Sequence, residues 1–240
     1  MESLMNVKLA AWQQIASPQI TVAMGSLGYD WVVLDMEHTS MTTQEAEAMF
    51  IAAESVGSEP FVRLPNADPY LARRFLDAGA SGVFVPVVES REQFDMFAQH
   101  CFFPPKGKRG LGLVRANLWG QKLQAYYSEF KPLIIAQIET KAGAENILDI
   151  LASPYLDGIM IGPYDLSSSL GIPGQFFDSG FVELCAQINS DAKKMGKITG
   201  YHQVEPNEYE LQQRISEGYD FIAYGTDVVA MRFALQRGKK

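Results

Sequence analysis

Carboxylates, a histidine and an arginine recur in this sequence directly after short apolar runs. Asp35-Met36-Glu37-His38 follows one run, Arg63 ends a second, Gln137 and Glu139 end a third, and Asp165 follows a fourth through Gly162-Pro163-Tyr164. Two carboxylates reached from neighbouring runs, Glu139 and Asp165, suit a hard divalent cation. A histidine with a near-neutral pKa suits proton transfer. Trp12, Tyr201, His202 and Asp227 stand at the ends of further runs. His100 falls on a predicted helix and reads as a partly exposed helix residue.

Each residue also has a structural reading. Glu139 and Asp165 stand just before helical segments, where acids serve as caps. Arg63 could serve only to pair with a neighbouring acid. Tyrosine and histidine are common half-buried residues, which leaves Tyr201 and His202 ambiguous. Concurrence favours chemistry, because helix caps do not require His38 and Arg63 at the same edge.

The elements that would position these groups alternate strictly. Strands are predicted at 7–12, 30–37, 59–64, 82–88, from 132, from 156, 197–203 and 220–226. A helical segment follows each, often closed by glycine. Such alternation implies a parallel sheet. Eight units in 240 residues predict an α/β fold, a single-domain (β/α)8 TIM barrel over 1–240, with all strand ends on one rim. A doubly wound open sheet is the alternative, but no Gly-rich dinucleotide fingerprint follows the first strand. Residues 102–120, rich in Pro, Gly and Arg, are too long for an ordinary connection and suggest function or a partner contact. Residues 167–174 read as a loop.

The totals exclude several classes. With 20 Lys+Arg against 28 Asp+Glu the net charge is −8, which disfavours nucleic acid and anionic membrane as partners. Cys101 and Cys185 lie in no metal-binding spacing and make no disulfide framework, so buried free thiols are expected. The first residues lack a basic start and apolar core, and no run approaches the length of a membrane span. A cytoplasmic protein is therefore expected.

The quoted motifs, with Val62-Arg63, Gln137-Ile138-Glu139-Thr140, Ile161-Gly162-Pro163-Tyr164-Asp165-Leu166-Ser167 and the Phe103–Ala116 loop, resemble the HpcH/HpaI family of class II, metal-dependent pyruvate aldolases. That group includes hydroxy-oxo-heptanedioate, 2-dehydro-3-deoxyglucarate and 2-keto-3-deoxyrhamnonate aldolases. The resemblance covers nearly the whole chain. It implies reversible cleavage of a 4-hydroxy-2-oxo acid to pyruvate and an aldehyde. It implies Mg²⁺, Mn²⁺ or Co²⁺ on Glu139 and Asp165, Arg63 at the enolate oxygen, and His38 with Asp35 as acid/base machinery. Glu37 stands behind that machinery. Asp77 matches an acid placed near a neighbouring subunit's site, and Trp12 an aromatic near the mouth. Gln137, Pro163, Tyr164 and His202 would face substrate. The family's assembly is a homo-hexamer whose last helix, about 227–240, is exchanged between subunits. Gly200-Tyr201-His202 is more polar than the family pattern, which leaves the aldehyde open. A malyl- or citramalyl-CoA type lyase on the same barrel, and a non-catalytic barrel binding a metal or small acid, are the alternatives.

Overall fold

The computed structural model describes residues 7–236. Eight parallel strands, β1 (Lys8–Gln13), β2 (Trp31–Asp35), β3 (Glu59–Arg63), β4 (Gly82–Val85), β5 (Leu133–Ile138), β6 (Gly158–Ile161), β7 (Ile198–Gln203) and β8 (Phe221–Thr226), close into a barrel in chain order. Helices α1 (Pro18–Gly25), α2 (Thr43–Ser55), α3 (Pro69–Ala78), α4 (Arg91–Ala98) and α5 (Leu123–Glu129) follow or precede the first five strands. α6 (Lys141–Glu145), α7 (Ile147–Leu151), α8 (Pro163–Ser169), α9 (Ser179–Lys194), α10 (Glu208–Ser216) and α11 (Asp227–Gln236) complete the outer layer. The predicted TIM barrel is therefore present. Residues 237–240 of the predicted last helix, and the first six residues, lie outside the described residues.

Parity along the strands decides what faces the lumen. Ala10 and Trp12, Trp31 and Val33, Phe61, Phe84, Ile135, Met160, Phe221 and Ala223 form one buried interior cluster. The alternate positions, such as Val32, Leu34, Val62, Ile134, Ile138 and Ile159, pack outward against the helices in a second cluster. Continuing the inward parity to the C-terminal edge gives Asp35, Arg63, Gln137, Glu139, Gly162 and His202. The tight lumen demands glycine at position 200, where a Cβ would lie 2.0 Å from the Phe221 ring. Each large aromatic buried here contributes roughly 1.5–3 kcal/mol over an exposed one.

Helix starts follow local chemistry. Ser17, Thr42, Asp68, Ser90, Thr140, Asp178 and Asn207 each accept a backbone N–H at a helix N-terminus, and Thr42 with Glu45 forms a reciprocal capping box.

The boundaries correct several expectations. β2 stops at Asp35, leaving Glu37 and His38 in the following turn, and β4 stops at Val85. Val87 takes φ +52, a left-handed conformation unusual for a β-branched residue and incompatible with a strand running to 88. The segment after β6 is a helix opened by Pro163 and running to Ser169, so the expected 167–174 loop begins later. Within 102–120, a 3₁₀ turn covers Arg115–Gly120. No helix among the described residues is long and apolar enough to cross a membrane.

Candidate active site

The strand ends converge on a cavity of about 300 Å³ lined by Trp12, Gln14, His38, Arg63, Gln137, Gly162, Pro163, Tyr164, Asp165 and His202, among others. A second cavity of about 310 Å³ shares His38 and Asp165 with it and adds Glu37, Val87, Glu139 and Ser168. All but four of the predicted site and rim residues thus border one composite space. Asp35 is the first exception and lies fully buried beneath it.

Arg63 is the centre of this arrangement. Its Nε donates to Asp35 Oδ1 at 3.0 Å and its Nη2 to Oδ2 at 2.7 Å, while Nη1 lies 3.0 Å from Glu37 Oε2. Asp35 and Arg63 are direct cross-strand partners in the β2–β3 register, so the pairing follows from the fold. A guanidinium has five N–H groups. Two are donated to Asp35, Nη1 is drawn to Glu37 as an ion pair, and the side chain also lines the cavity. The Asp35 carboxyl is subject first to burial, which would raise its pKa. The hydrogen bond and charge of Arg63, with help from Gln14 and the His38 N–H, outweigh burial and hold it below the ordinary value.

This geometry corrects the expected Asp35–His38 side-chain pair. Asp35 meets His38 only through the backbone N–H of His38, at 3.2 Å. Its carboxylate oxygens are committed to Arg63. The His38 imidazole instead stands at the cavity mouth with 61% of its side chain exposed, and Nε2 is 3.7 Å from Glu37 Oε2. Glu37 therefore bridges Arg63 and His38. Burial raises its pKa, with Asp35 and Asp165 adding to the effect and Arg63 and His38 opposing it.

Glu139 is buried. Oε1 accepts the N–H of Val87 at 2.7 Å and Oε2 accepts from the Gln137 side-chain amide. Burial, then the charges of Glu37 and Asp165, push its carboxyl up to about 7, against the opposing Val87 N–H and Arg63. Gly162 makes this packing possible, since a Cβ there would lie 3.0 Å from Gln137 Nε2 and from Glu139 Cβ and Oε2. The left-handed backbone of Val87, a strain of order 1–3 kcal/mol, delivers the N–H that fixes Glu139. The sequence holds no local signal for Val87.

The donor set fits a hard divalent ion. Glu139 and Asp165 are oxygen donors on one cavity wall, and their mutual repulsion is the kind a cation relieves. Gln137 Oε1 is buried without a hydrogen-bond partner beside them. Among the described residues no three His, Cys, Asp or Glu side chains cluster to hold a metal alone. The remaining positions would fall to water and substrate, as is usual for Mg²⁺.

Trp12 forms the floor rather than the mouth. It is fully buried, with the Arg63 guanidinium 5.2 Å above its ring and the His202 ring 4.4 Å away. His202 is buried, and its Nε2 has no hydrogen-bond partner. Burial first, then the Arg63 charge, push its imidazole down to about 3, so it is neutral at neutral pH.

Other predicted rim groups lie elsewhere. Asp77, the second exception, sits on α3 with Oδ1 2.6 Å from Arg109 Nη2 and borders a separate cavity of about 440 Å³ that includes Arg74, Leu113 and Trp119. Within one chain it does not meet Arg63. Tyr201 faces outward against Tyr219, with Arg214 4.5 Å over its ring, because strand parity turns it away from the lumen. Asp227 is structural: its carboxylate accepts the N–H groups of Gln14 and Ile15, tying the end of β1 to α11. That clamp positions Gln14, whose amide reaches Asp35 Oδ2 at 3.2 Å. Cys101 and Cys185 are free and buried, with both thiols pushed up to about 12 by burial. A cavity of about 410 Å³ between α9 and α10 contains none of the predicted site residues.

A closed parallel barrel carrying carboxylates, a fixed arginine and a histidine on its C-terminal rim has the architecture of a barrel enzyme. Residues 8–234 match the family model for HpcH/HpaI aldolase/citrate lyase, and the chain belongs to this family. It is 32% identical over 233 residues to the 5-keto-4-deoxy-D-glucarate aldolase of Salmonella paratyphi C (strain RKS4594), covering 96% of this chain and 90% of that one. A solved HpcH/HpaI aldolase/citrate lyase family protein from Burkholderia cenocepacia J2315 superposes with a TM-score of 0.89 at 29% identity, over 98% of this chain and 95% of that one. An HpcH/HpaI aldolase from Desulfitobacterium hafniense DCB-2 gives 0.88 at 26% identity, over 99% and 93%. The protein is a class II pyruvate aldolase, a carbon–carbon lyase acting on small molecules, in a family that is generally dependent on a divalent metal.

Proposed function

We propose that Arg63, His38, Glu139 and Asp165 carry the reversible cleavage of a 4-hydroxy-2-oxo acid. The observation that carries this reading is Arg63, held by Asp35 and Glu37 and lining the same cavity as Asp165 and Gln137. Cleavage breaks the C3–C4 bond. The electron pair stays on the pyruvate fragment as an enolate, and the 4-hydroxyl proton must leave. His38, at the mouth and partly exposed, takes that proton; a proton is returned to C3 as pyruvate forms. The Arg63 guanidinium holds the keto oxygen as negative charge grows on it. Mg²⁺ or Mn²⁺, with Co²⁺ as a substitute, held by Glu139 and Asp165, would supply Lewis-acid polarisation of the substrate oxygens. The start of α8, where Gly162 provides no side-chain cap, receives the substrate carboxylate alongside Pro163 and Tyr164. No lysine borders either rim cavity among the described residues, which speaks against Schiff-base chemistry there.

The assembly we propose is a homo-hexamer with α11 exchanged between neighbours. Its support is that α11 buries no residue within one chain and exposes Val228, Met231 and Leu235. Asp77, remote from its own rim, would face the neighbouring subunit's site beside the 102–120 segment.

Deuterium exchange into the methyl group of pyruvate, followed by NMR, tests the site without knowledge of the aldehyde. The expected result is exchange that EDTA abolishes, Mg²⁺ or Mn²⁺ restores, and Arg63→Ala eliminates. Metal-free exchange, or retained exchange in Arg63→Ala, overturns the assignment.

A further inference from the structure

The rim cavity continues past His202. A side cavity of about 210 Å³ shares Pro163, Tyr164, His202 and Val204 with the first and extends toward Phe176 and Phe177. His202, on β7 next to β6 in the barrel, therefore lines both cavities and stands at their junction. It is the position that the non-pyruvate half of a substrate must cross.

The charges around this path are unfavourable for a second carboxylate. Among the described residues lining the first cavity, the one permanent cation is Arg63, which the pyruvate half occupies and which Asp35 and Glu37 already neutralise. In the side cavity, Arg214 is committed to Glu217 at 2.6 Å and lies over the Tyr201 ring. Glu205 and Glu210 face the same space. Arg232 lies 3.6 Å from Glu205 and is paired with it. The balance of the path is thus negative, and a carboxylate entering it would lose its hydration with no unpaired cation among these residues to replace it.

The path does hold an unmet hydrogen-bonding demand. His202 is 7% exposed, its ring is stacked on Trp12, and its Nε2 has no partner. A buried polar atom left unpaired is costly, so an occupant that satisfies it is favoured over one that does not. Neutral imidazole offers one donor and one acceptor, the complement of a hydroxyl group. Burial first, and then the neighbouring Arg63 charge, keep the ring uncharged, which removes the alternative of an imidazolium binding a carboxylate.

We propose that the aldehyde partner of this aldolase is uncharged and hydroxyl-bearing, and that His202 selects it by hydrogen bonding that hydroxyl at the junction of the two cavities. The inference rests on the aldolase site described under Proposed function. His202 touches substrate but moves no proton in the reaction.

Condensation of pyruvate with three aldehydes under steady-state conditions tests this on the Mg²⁺-loaded enzyme. The three are glyceraldehyde, propionaldehyde and succinic semialdehyde. The expected kcat/KM for glyceraldehyde exceeds each of the others by about tenfold or more, the value of one hydrogen bond of about 1.4 kcal/mol. His202→Leu should bring glyceraldehyde and propionaldehyde together, while His202→Gln, which retains a donor and an acceptor, should keep part of the preference. A preference for succinic semialdehyde, turnover of none of the three, or an unchanged glyceraldehyde-to-propionaldehyde ratio in His202→Leu overturns the inference. Pyruvate methyl exchange measured on the same wild-type sample separates the two levels. If exchange proceeds while the preference is absent, only the aldehyde assignment falls; if exchange is absent, the aldolase site itself falls and the inference with it.

Discussion

Asp35 holds Arg63, not His38. Both carboxylate oxygens are taken by one guanidinium, at 3.0 and 2.7 Å, on a side chain that is completely buried. The arginine is aimed at the cavity by an acid that substrate never touches, and the histidine depends on Glu37 for its nearest charge.

Removing the Asp35 charge should therefore act through Arg63. Asp35→Asn leaves a buried guanidinium with Glu37 as its one counter-charge, and breaking such a buried pair costs about 3 kcal/mol. Urea unfolding should show a loss of that order. Pyruvate exchange should fall by about a hundredfold through kcat, with its pH profile little moved. A shifted profile would restore the Asp35–imidazole pair.

Glu139 makes stability and metal binding interdependent. Its folded pKa is raised from 4.5 to about 7, chiefly by burial. The folded state thus binds the extra proton, and this group's contribution is fully present below 4.5 and lost as pH rises through about 7. Without metal, Glu139→Gln should be more stable than wild type at pH 8 and equal to it at pH 4. Saturating Mg²⁺ should raise the wild-type melting temperature at pH 8 and leave that of Glu139→Gln unchanged. Thermal scans with and without EDTA check both.

His202 has the opposite sign. Its folded pKa lies at about 3 against an ordinary 6.5. The unfolded chain takes up a proton below 6.5 that the folded protein refuses, so the contribution is present above 6.5 and lost as pH falls toward 3. Because Glu139 works the other way across part of this window, the informative quantity is the difference between wild type and His202→Gln. That variant should lose less stability than wild type between pH 7 and pH 5. Parallel denaturation curves at the two pH values would contradict the assignment.

Gly162 should be intolerant of a methyl group. Its Cβ would meet the Gln137 and Glu139 side chains at 3.0 Å. Gly162→Ala is expected to weaken Mg²⁺ activation by about tenfold while retaining the fold, measured as the Mg²⁺ concentration giving half-maximal exchange with circular dichroism as the control.

The strands were legible because each is a short apolar run closed by a polar residue, and alternation with helices left few topologies. The rim residues were legible for the same reason: Arg63, Gln137 and His202 are the last inward positions of β3, β5 and β7. What escaped depended on geometry between strands. The Asp35–Arg63 bond follows from register, which residue types do not specify, and proximity in the chain suggested His38 instead. Tyr201 was grouped with His202 although adjacent strand residues face opposite ways. Val87 and Gly162 act through backbone conformation and lack of bulk, so neither has a chemical signature to read.

The placement of Trp12 gives the enzyme an internal optical reporter. Its indole lies beneath Arg63 and beside His202, whereas Trp31 is packed deeper against Phe61 and Phe221 and Trp119 is 66% exposed. Replacing Trp31 and Trp119 by phenylalanine leaves a single emitter in direct contact with the groups that meet substrate. Filling of the site by pyruvate then becomes a change in emission that can be followed in real time without an aldehyde, a coupled enzyme or turnover.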